Sequence, residues 1–387
     1  MSGFDIKGWC PSALRPMASG DGLVVRLRPR GGRLASAQAF GIAELSHRYG
    51  NGLIDLTGRA NLQIRGVAAE NHAALVEALA RLGLIDPDVE TETRRNILVA
   101  PFWREGDDTP RLAAELELAL AARPLGLPEK FGFAVDCGAE RVLAQAPADI
   151  RIERGADGGL LVRAEGAREG RAVTAVEAID VTLALARWFV VSGGASNGRG
   201  RMAAHIASGA TFPDAIATDA KPLPAVVLPR PGLYEAGALV GLAFGQMRSE
   251  TLGFLASLAP GLRMTPWRMI LAEAACKMPR HEDLLTRADD PLLRVAACTG
   301  APSCPEAHAQ TRVLASALAP HIGAGKRLHV SGCAKGCADP GPSTITLVGN
   351  ANGFDLVRQG TTRDRPALQG LDPARILSDA DALMGAG

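Results

Sequence analysis

Four cysteines in the last quarter of this chain constrain its fold more than any other feature. Cys298-Thr-Gly-Ala-Pro-Ser-Cys304 is followed by Cys333-Ala-Lys-Gly-Cys337, so two loops must meet if the four sulfurs act together. Four thiolates in two loop pairs are the ligand set of a cubane [4Fe–4S] cluster, which makes Cys298, Cys304, Cys333 and Cys337 the candidate metal ligands. Pro305 suits the first turn of a helix running to Leu318, whose amides and positive dipole end would face an anionic cluster. A short strand over Arg327–Ser331 would deliver Cys333, with Gly332 and Gly336 letting the turn wrap closely around sulfur. Two other readings stand beside this one. Structural zinc usually takes tighter Cys-x2-Cys knuckles, and uncoordinated cysteines are usually core residues.

The remaining cysteines say less. Seven is an odd number, and MSGFDIKGWCPSALRPMASG has no basic segment followed by an apolar stretch, so no signal peptide and no disulfide framework are expected. Cys137 and Cys276 sit in apolar contexts and are expected in the core, whereas Cys10 could line a site. The richest apolar run, Val181–Val191, is interrupted and falls short of the ~18 residues of a membrane span, so a soluble cytoplasmic protein is expected. A net charge of +1 excludes a globally basic nucleic-acid binder; any anion site must be a local cluster of Arg and Lys.

At ~150 residues per domain, a chain of 387 residues holds two or three cores. Residues 22–28 alternate as a strand, Arg33–Tyr49 reads as a helix with Leu34, Phe40 and Leu45 inward, and strands follow at Gly52–Leu56 and Asn61–Val67. A helix over Asn71–Leu82, capped by Asn71, completes a compact unit. After the proline-marked linker 219–235, a similar order returns: strand Gly237–Phe244, helix Ser249–Ala259, and a strand opening at Arg263. GLV at 22–24 and DLT at 55–57 echo ALV at 238–240 and RMT at 263–265, roughly 210 residues on. The expected fold class is therefore α+β with an internal duplication about a pseudo-two-fold axis. The units are 1–85, an α/β stretch 86–222, a second small unit 223–288, and a cysteine-bearing α/β stretch 289–387.

The cysteine spacing inside such a duplicated chain resembles the sulfite/nitrite reductase hemoprotein superfamily, in which two ferredoxin-like half-domains alternate with two α/β domains. Asp55-Leu-Thr-Gly-Arg59-Ala-Asn-Leu-Gln63-Ile-Arg65 looks like the strand whose arginine binds the tetrapyrrole and its anionic ligand. Thr93-Arg94-Arg95-Asn96 looks like the Arg-Asn strand start, and Leu127-Pro-Glu-Lys130-Phe-Gly132 like the segment where two lysines flank the substrate. The resemblance implies catalytic roles for Arg59, Arg95 and Lys130, and makes Cys337 the thiolate that would bridge the cluster and a siroheme iron. Two departures matter. Position 132 is Gly in place of the second lysine, and position 60 is Ala where Gln is usual.

With these departures, GWCPSALRPMASGDGLVVRLRPRGG and SGCAKGCADPGPSTITLVG resemble the precorrin-3B synthase family within that superfamily. That likeness implies an oxygen-dependent monooxygenase taking precorrin-3A, O2 and an external electron donor, with a γ-lactone closed by an acetate side chain. The tetrapyrrole would be substrate, with siroheme only in a true reductase; a tetrapyrrole carrier or electron-transfer protein is the reading from another class. A macrocycle with about eight carboxylates suits Arg forks better than Lys point charges. Candidate ligands are Arg26 and Arg28 on one strand face, Arg59 and Arg65 on another, Arg95, Lys130, and Arg199 and Arg201 in the glycine-rich SGGASNGRGR segment. The bland alternative for each arginine is a solvated surface side chain, an even match for Arg26, Arg28, Arg199 and Arg201 and a weaker one for Arg59 and Arg95 because of their motif context. His308 could serve a separate mononuclear non-haem iron or be a plain polar position, and Asp339 could face the pocket or make an Asx turn before Pro340.

Overall fold

Apolar residues alternating through Gly22–Leu27, with Val25 and Leu27 buried, start the first sheet of the computed structural model, which describes residues 11–216 and 218–385. In chain order the first unit holds β1 (Met17–Ser19), β2 (Gly22–Leu27), β3 (Arg33–Ala35), α1 (Ser36–Tyr49), β4 (Leu53–Leu56), β5 (Leu62–Val67) and α2 (His72–Arg81). Next come α3 (Val89–Arg94), β6 (Ile97–Val99), α4 (Asp108–Ala122), β7 (Phe133–Asp136), β8 (Ile150–Arg154), β9 (Leu160–Ala164), β10 (Arg171–Val173), α5 (Ala178–Val191) and α6 (Met202–Ala207). The third stretch has β11 (Gly232–Tyr234), β12 (Gly237–Leu242), β13 (Gln246–Arg248), α7 (Ser249–Leu258), β14 (Gly261–Met264), β15 (Met269–Glu273) and β16 (Leu284–Leu285). The last has β17 (Val295–Ala297), α8 (Arg312–Leu318), β18 (Leu328–Ser331), β19 (Ser343–Asn350), β20 (Gly353–Gly360), β21 (Leu368–Leu371), α9 (Pro373–Ser378) and α10 (Ala380–Met384).

The two small units trade edge strands. One sheet runs β1-β2-β5-β4-β13 and the other β11-β12-β15-β14-β3. Leu34 of β3 lies opposite Leu262, and Met247 of β13 lies opposite Ile54. The cause is a matched turn in each copy, with left-handed backbone at Gly31 (φ 60) and Phe244 (φ 57), which directs the following strand onto the other sheet. Leu34, Ile42, Ile54, Leu252, Leu255, Leu262 and Ile270 then share one hydrophobic core, with α1 packed on α7. Three residues expected to open a helix at Arg33 are thus strand, and the helix begins at Ser36. Phe40, expected inward, is half exposed. Asn71 ends a short 3-10 turn with helical backbone and makes no capping bond.

The duplication extends to the α/β sheets. Both β6-β7-β8-β9-β10 and β17-β18-β19-β20-β21 begin with three parallel strands and finish antiparallel. All four residues of β7 and all four of β18 are buried, as strands covered on both faces must be. α5, which takes in the apolar run of the sequence, packs on β8 and β9. Residues 305–311, expected as the start of a helix, form turns and irregular chain instead, and the helix is only Arg312–Leu318. The linker after 218 lies along the first α/β sheet through bridges Gly170↔Ala220, Gly155↔Pro222 and Arg141↔Ala225. No helix among the described residues is long and apolar enough to cross a membrane.

Candidate functional site

β17 and β18 are parallel neighbours, with Ala297 opposite Val330, so both deliver their cysteine loops to the same end of the sheet. Open α/β sheets place ligand sites outside the carboxyl ends of their strands. The Cys298 amide donates to the Val330 carbonyl at 3.3 Å, and Thr311 Oγ1 donates to the Cys298 carbonyl at 2.6 Å. Gly332 N–H donates to Cys298 Sγ at 3.2 Å, and the backbone N–H of Lys335 donates to the Cys333 thiol. Cys333 feels the thiols of Cys298 and Cys304, and Cys337 feels all three others, so the four sulfurs share one neighbourhood. Burial pushes the Cys333 thiol up, against the opposing pull of the Lys335 amide.

These loops fit a thiolate-ligated cluster by their donor chemistry: four sulfurs with backbone amides aimed at two of them. Among the described residues no three His, Cys, Asp or Glu side chains close on a single metal ion. The amides come from the 332–335 loop, since no helix starts at Pro305. Gly332 allows this approach, because a Cβ there would lie 2.6 Å from Ala307 Cβ; Gly336 adopts φ 67.

His308 sits in the turn region, its amide bonded to the Gly332 carbonyl at 2.8 Å, and it lines an open cleft of about 470 Å³ with Glu306, Cys333, Asp355 and Thr362. Asp339 makes the Asx turn: its Oδ1 accepts from Gly341 N at 3.2 Å, and Oδ2 accepts from Arg327 Nη2 at 2.6 Å. Cys137 is buried at the end of β7, and burial pushes its thiol up to about 12. Cys276, expected in the core, is exposed because Ala274 (φ 55) turns the chain out of β15. Cys10 lies outside the described residues.

The basic residues separate into two groups. Arg59, Lys130 and Arg201 come together at the edge of β7. Arg59 stands in the turn between β4 and β5, off the strand face expected to hold it with Arg65, and its Nη2 donates to the Lys130 carbonyl at 3.0 Å. Lys130 is exposed. Buried Asp149 accepts from Gly132 N at 3.0 Å and from Arg201 Nε at 2.9 Å, which ties the glycine-rich segment to the same strand. Arg199 is exposed in a bridge with Ser196, farther along that segment.

The other group is held by internal carboxylates. Arg95 takes Asp86 at 2.8 Å and Glu117 at 3.5 Å, Arg28 takes Glu92 at 3.1 Å, and all five side chains are largely buried. Arg65 takes Asp21 at 2.7 Å and Asp55 at 3.6 Å. Arg26 lies opposite Gln63, whose carboxamide oxygen receives its guanidinium. Between Arg28 and Arg95 only a small polar pocket of about 10 Å³ remains, lined also by Ala60, Asn61 and Glu117.

Sequence reasoning missed Asn96, which Gly132 makes important. A Cβ at 132 would lie 2.8 Å from Asn96 Nδ2 and 3.0 Å from Arg59 Nη1, and Asn96 Nδ2 donates to the Phe131 carbonyl at 2.9 Å. The absent side chain is the space in which Arg59 and Asn96 lie. The signal available in sequence was the Gly itself, one residue from an aromatic on either side.

Residues 15–82 match the nitrite/sulfite reductase ferredoxin-like half domain. The chain is 29% identical to a precorrin-3B synthase from a Sinorhizobium species, over 93% of this chain and 84% of that one. A ferredoxin–nitrite reductase from Synechococcus elongatus is 33% identical over 34% of this chain and 27% of its own length. Another from Leptolyngbya laminosa is 33% identical over 24% of this chain and 18% of its own. The Mycobacterium tuberculosis NirA protein shares the fold, with a TM-score of 0.63 over 93% of this chain and 79% of that one at 16% identity.

Proposed function

We propose that this chain, a member of the sulfite/nitrite reductase superfamily, converts precorrin-3A to precorrin-3B as an oxygen-dependent monooxygenase of cobalamin biosynthesis. The observation that carries the reading is the match to a precorrin-3B synthase across 93% of the chain, where the nitrite reductases match 34% and 24% of it. Cys298, Cys304, Cys333 and Cys337 would hold a [4Fe–4S] cluster, which supplies single electrons when bound.

The chain's own residues do the rest. Arg59 and Lys130 bind carboxylates on the rim of the macrocycle, with the Arg59 guanidinium oriented by its bond to the Lys130 carbonyl. Arg201, steadied by Asp149, adds a third cation at that edge. Arg28, Arg65 and Arg95, each matched to internal carboxylates, act on substrate by shaping the wall behind it. In the balanced reaction one atom of O2 enters the macrocycle as hydroxyl and the other leaves as water, with two electrons from an external donor and two protons. An acetate carboxylate of the substrate closes the γ-lactone. Gly132 presents neither charge nor proton, which separates this site from multi-electron reduction of small anions.

The test is isotopic. Precorrin-3A, reductant and labelled O2 should give a product with one labelled oxygen, in the hydroxyl, and an unlabelled lactone ring oxygen. Label drawn from water, or turnover without O2, refutes a monooxygenase.

A further inference from the structure

The internal duplication produces two copies of one turn, and they have diverged. Thr57 N donates to the Asn61 carbonyl at 2.9 Å, and Thr265 N donates to the Met269 carbonyl at 3.2 Å. Within each turn the threonine hydroxyl accepts from the residue two places on, Arg59 or Trp267, at 3.3 Å. The next residue is left-handed in both: Ala60 at φ 55 and Arg268 at φ 60. The first copy carries its arginine one position earlier and directs it to the Lys130 strand. The second carries Arg268, which Nη2 ties to the Ala338 carbonyl at 2.5 Å, one residue beyond Cys337.

Arg268 lacks a carboxylate of its own. It forms no salt bridge among the described residues. The acids nearest it are committed elsewhere: Asp339 to Arg327 at 2.6 Å, and Asp55 to Arg312 at 3.5 Å and Arg65 at 3.6 Å. Arg312 and Arg327 add further positive charge around it, and burial pulls its guanidinium below the ordinary value. Gly245 makes room for the stem, since a Cβ there would lie 3.1 Å from Arg268 Cγ. A partly buried cation without a carboxylate of its own calls for an anion. A group held by four thiolates at the adjoining loop would provide one.

We propose that Arg268 is the positioning residue and fixed counter-charge of the cluster held by Cys298, Cys304, Cys333 and Cys337. It braces the Cys337 loop against the second ferredoxin-like sheet and raises the reduction potential of the cluster, bringing it within reach of the external donor. This rests on the cluster reading above. Net charge and hydrogen bonding near the sulfurs are established levers on such potentials.

The experiment is a redox titration of anaerobically reconstituted full-length chain, followed by electron paramagnetic resonance, with iron and sulfide measured alongside. Arg268→Gln, which keeps a donor and loses the charge, should retain iron and move the midpoint negative. At the potential where wild type is half reduced, the reduced-to-oxidised ratio should fall about tenfold, which is about 59 mV for one electron. Arg268→Lys should restore most of the shift. Arg312→Gln, whose partner is Asp55, should shift it less. An unchanged midpoint in Arg268→Gln, or an equal or larger shift in Arg312→Gln, overturns the role of Arg268. Should Arg268→Gln fail to take up iron, Arg268→Lys still decides: loaded but with a midpoint far from wild type, it too overturns the proposal. A wild-type chain that takes up no iron defeats the cluster reading itself, and this role with it.

Discussion

Replacing Gly132 by Ala tests the geometry at the Arg59 edge directly. The new Cβ would lie 2.8 Å from Asn96 Nδ2 and 3.0 Å from Arg59 Nη1, so the buried Asn96 side chain must shift. Its donation to the Phe131 carbonyl, at 2.9 Å, is then lost, leaving buried polar groups unpaired at a cost of about 1–3 kcal/mol. Crowding against packed neighbours adds about 1–3 kcal/mol. Ala also restricts the unfolded chain relative to Gly, which returns about 0.4–1 kcal/mol. The expected net destabilisation is about 2–4 kcal/mol, read as a lower urea midpoint at unchanged slope. Asn96→Ala alone also loses the bond, but in the double variant the added methyl has room. The two costs should therefore fall short of additive by about 1 kcal/mol or more. A Gly132→Ala chain within about 0.5 kcal/mol of wild type, or a strictly additive double variant, refutes the reasoning.

Serine at any of Cys298, Cys304, Cys333 or Cys337 should abolish or badly destabilise the cluster, because a hydroxyl is a poor ligand for soft metal, while Cys137→Ser should keep its iron; iron and acid-labile sulfide assays decide. His329, fully buried in β18 with neither ring nitrogen bonded among the described residues, is pushed down by burial to about 4. The unfolded chain takes the proton first as pH falls, so this contribution is complete above about pH 6.5 and is lost down to about pH 4, some 3 kcal/mol in all. Urea midpoints of wild type should fall more steeply across that window than those of His329→Leu; equal slopes count against it.

The meeting of the four cysteines was legible because their spacing is local: each pair lies in one loop, and the parallel strands β17 and β18 need only be neighbours. The path between them was not. Pro305 is a good first helical residue, yet Ala307 and Ala309 pack against Gly332 and Gly349, and a helix from Pro305 would carry them away from that contact. The paired turns at Thr57 and Thr265 were visible as an echo of DLT and RMT. The strand exchange was not, because β3 is three residues long and its partner β14 comes from the other half of the chain. Strand spacing likewise marked Arg28, and a motif Arg95, as candidate anion ligands without showing that Asp86, Glu92 and Glu117 reach them. Those acids arrive on other elements, and only the tertiary fold balances the charge.

That strand exchange bears on how the site is held. Each ferredoxin-like sheet is completed by an edge strand from the other half, so neither half closes its own sheet alone. The cysteine loops take contacts from both. Ser19 Oγ and Gly20 N–H donate to the Ser303 carbonyl at 2.7 and 2.9 Å from the first half, and Arg268 holds the Ala338 carbonyl from the second. Arg312 of the cysteine-bearing unit in turn reaches Asp55, which Arg65 and Gln246 share. The repeated architecture thus holds two similar turns, but the fold joins them to different partners: one steadies the Lys130 edge, the other the Cys337 loop. A symmetric scaffold can carry an asymmetric site because a one-residue shift of the arginine within the turn changes which neighbouring sheet it reaches.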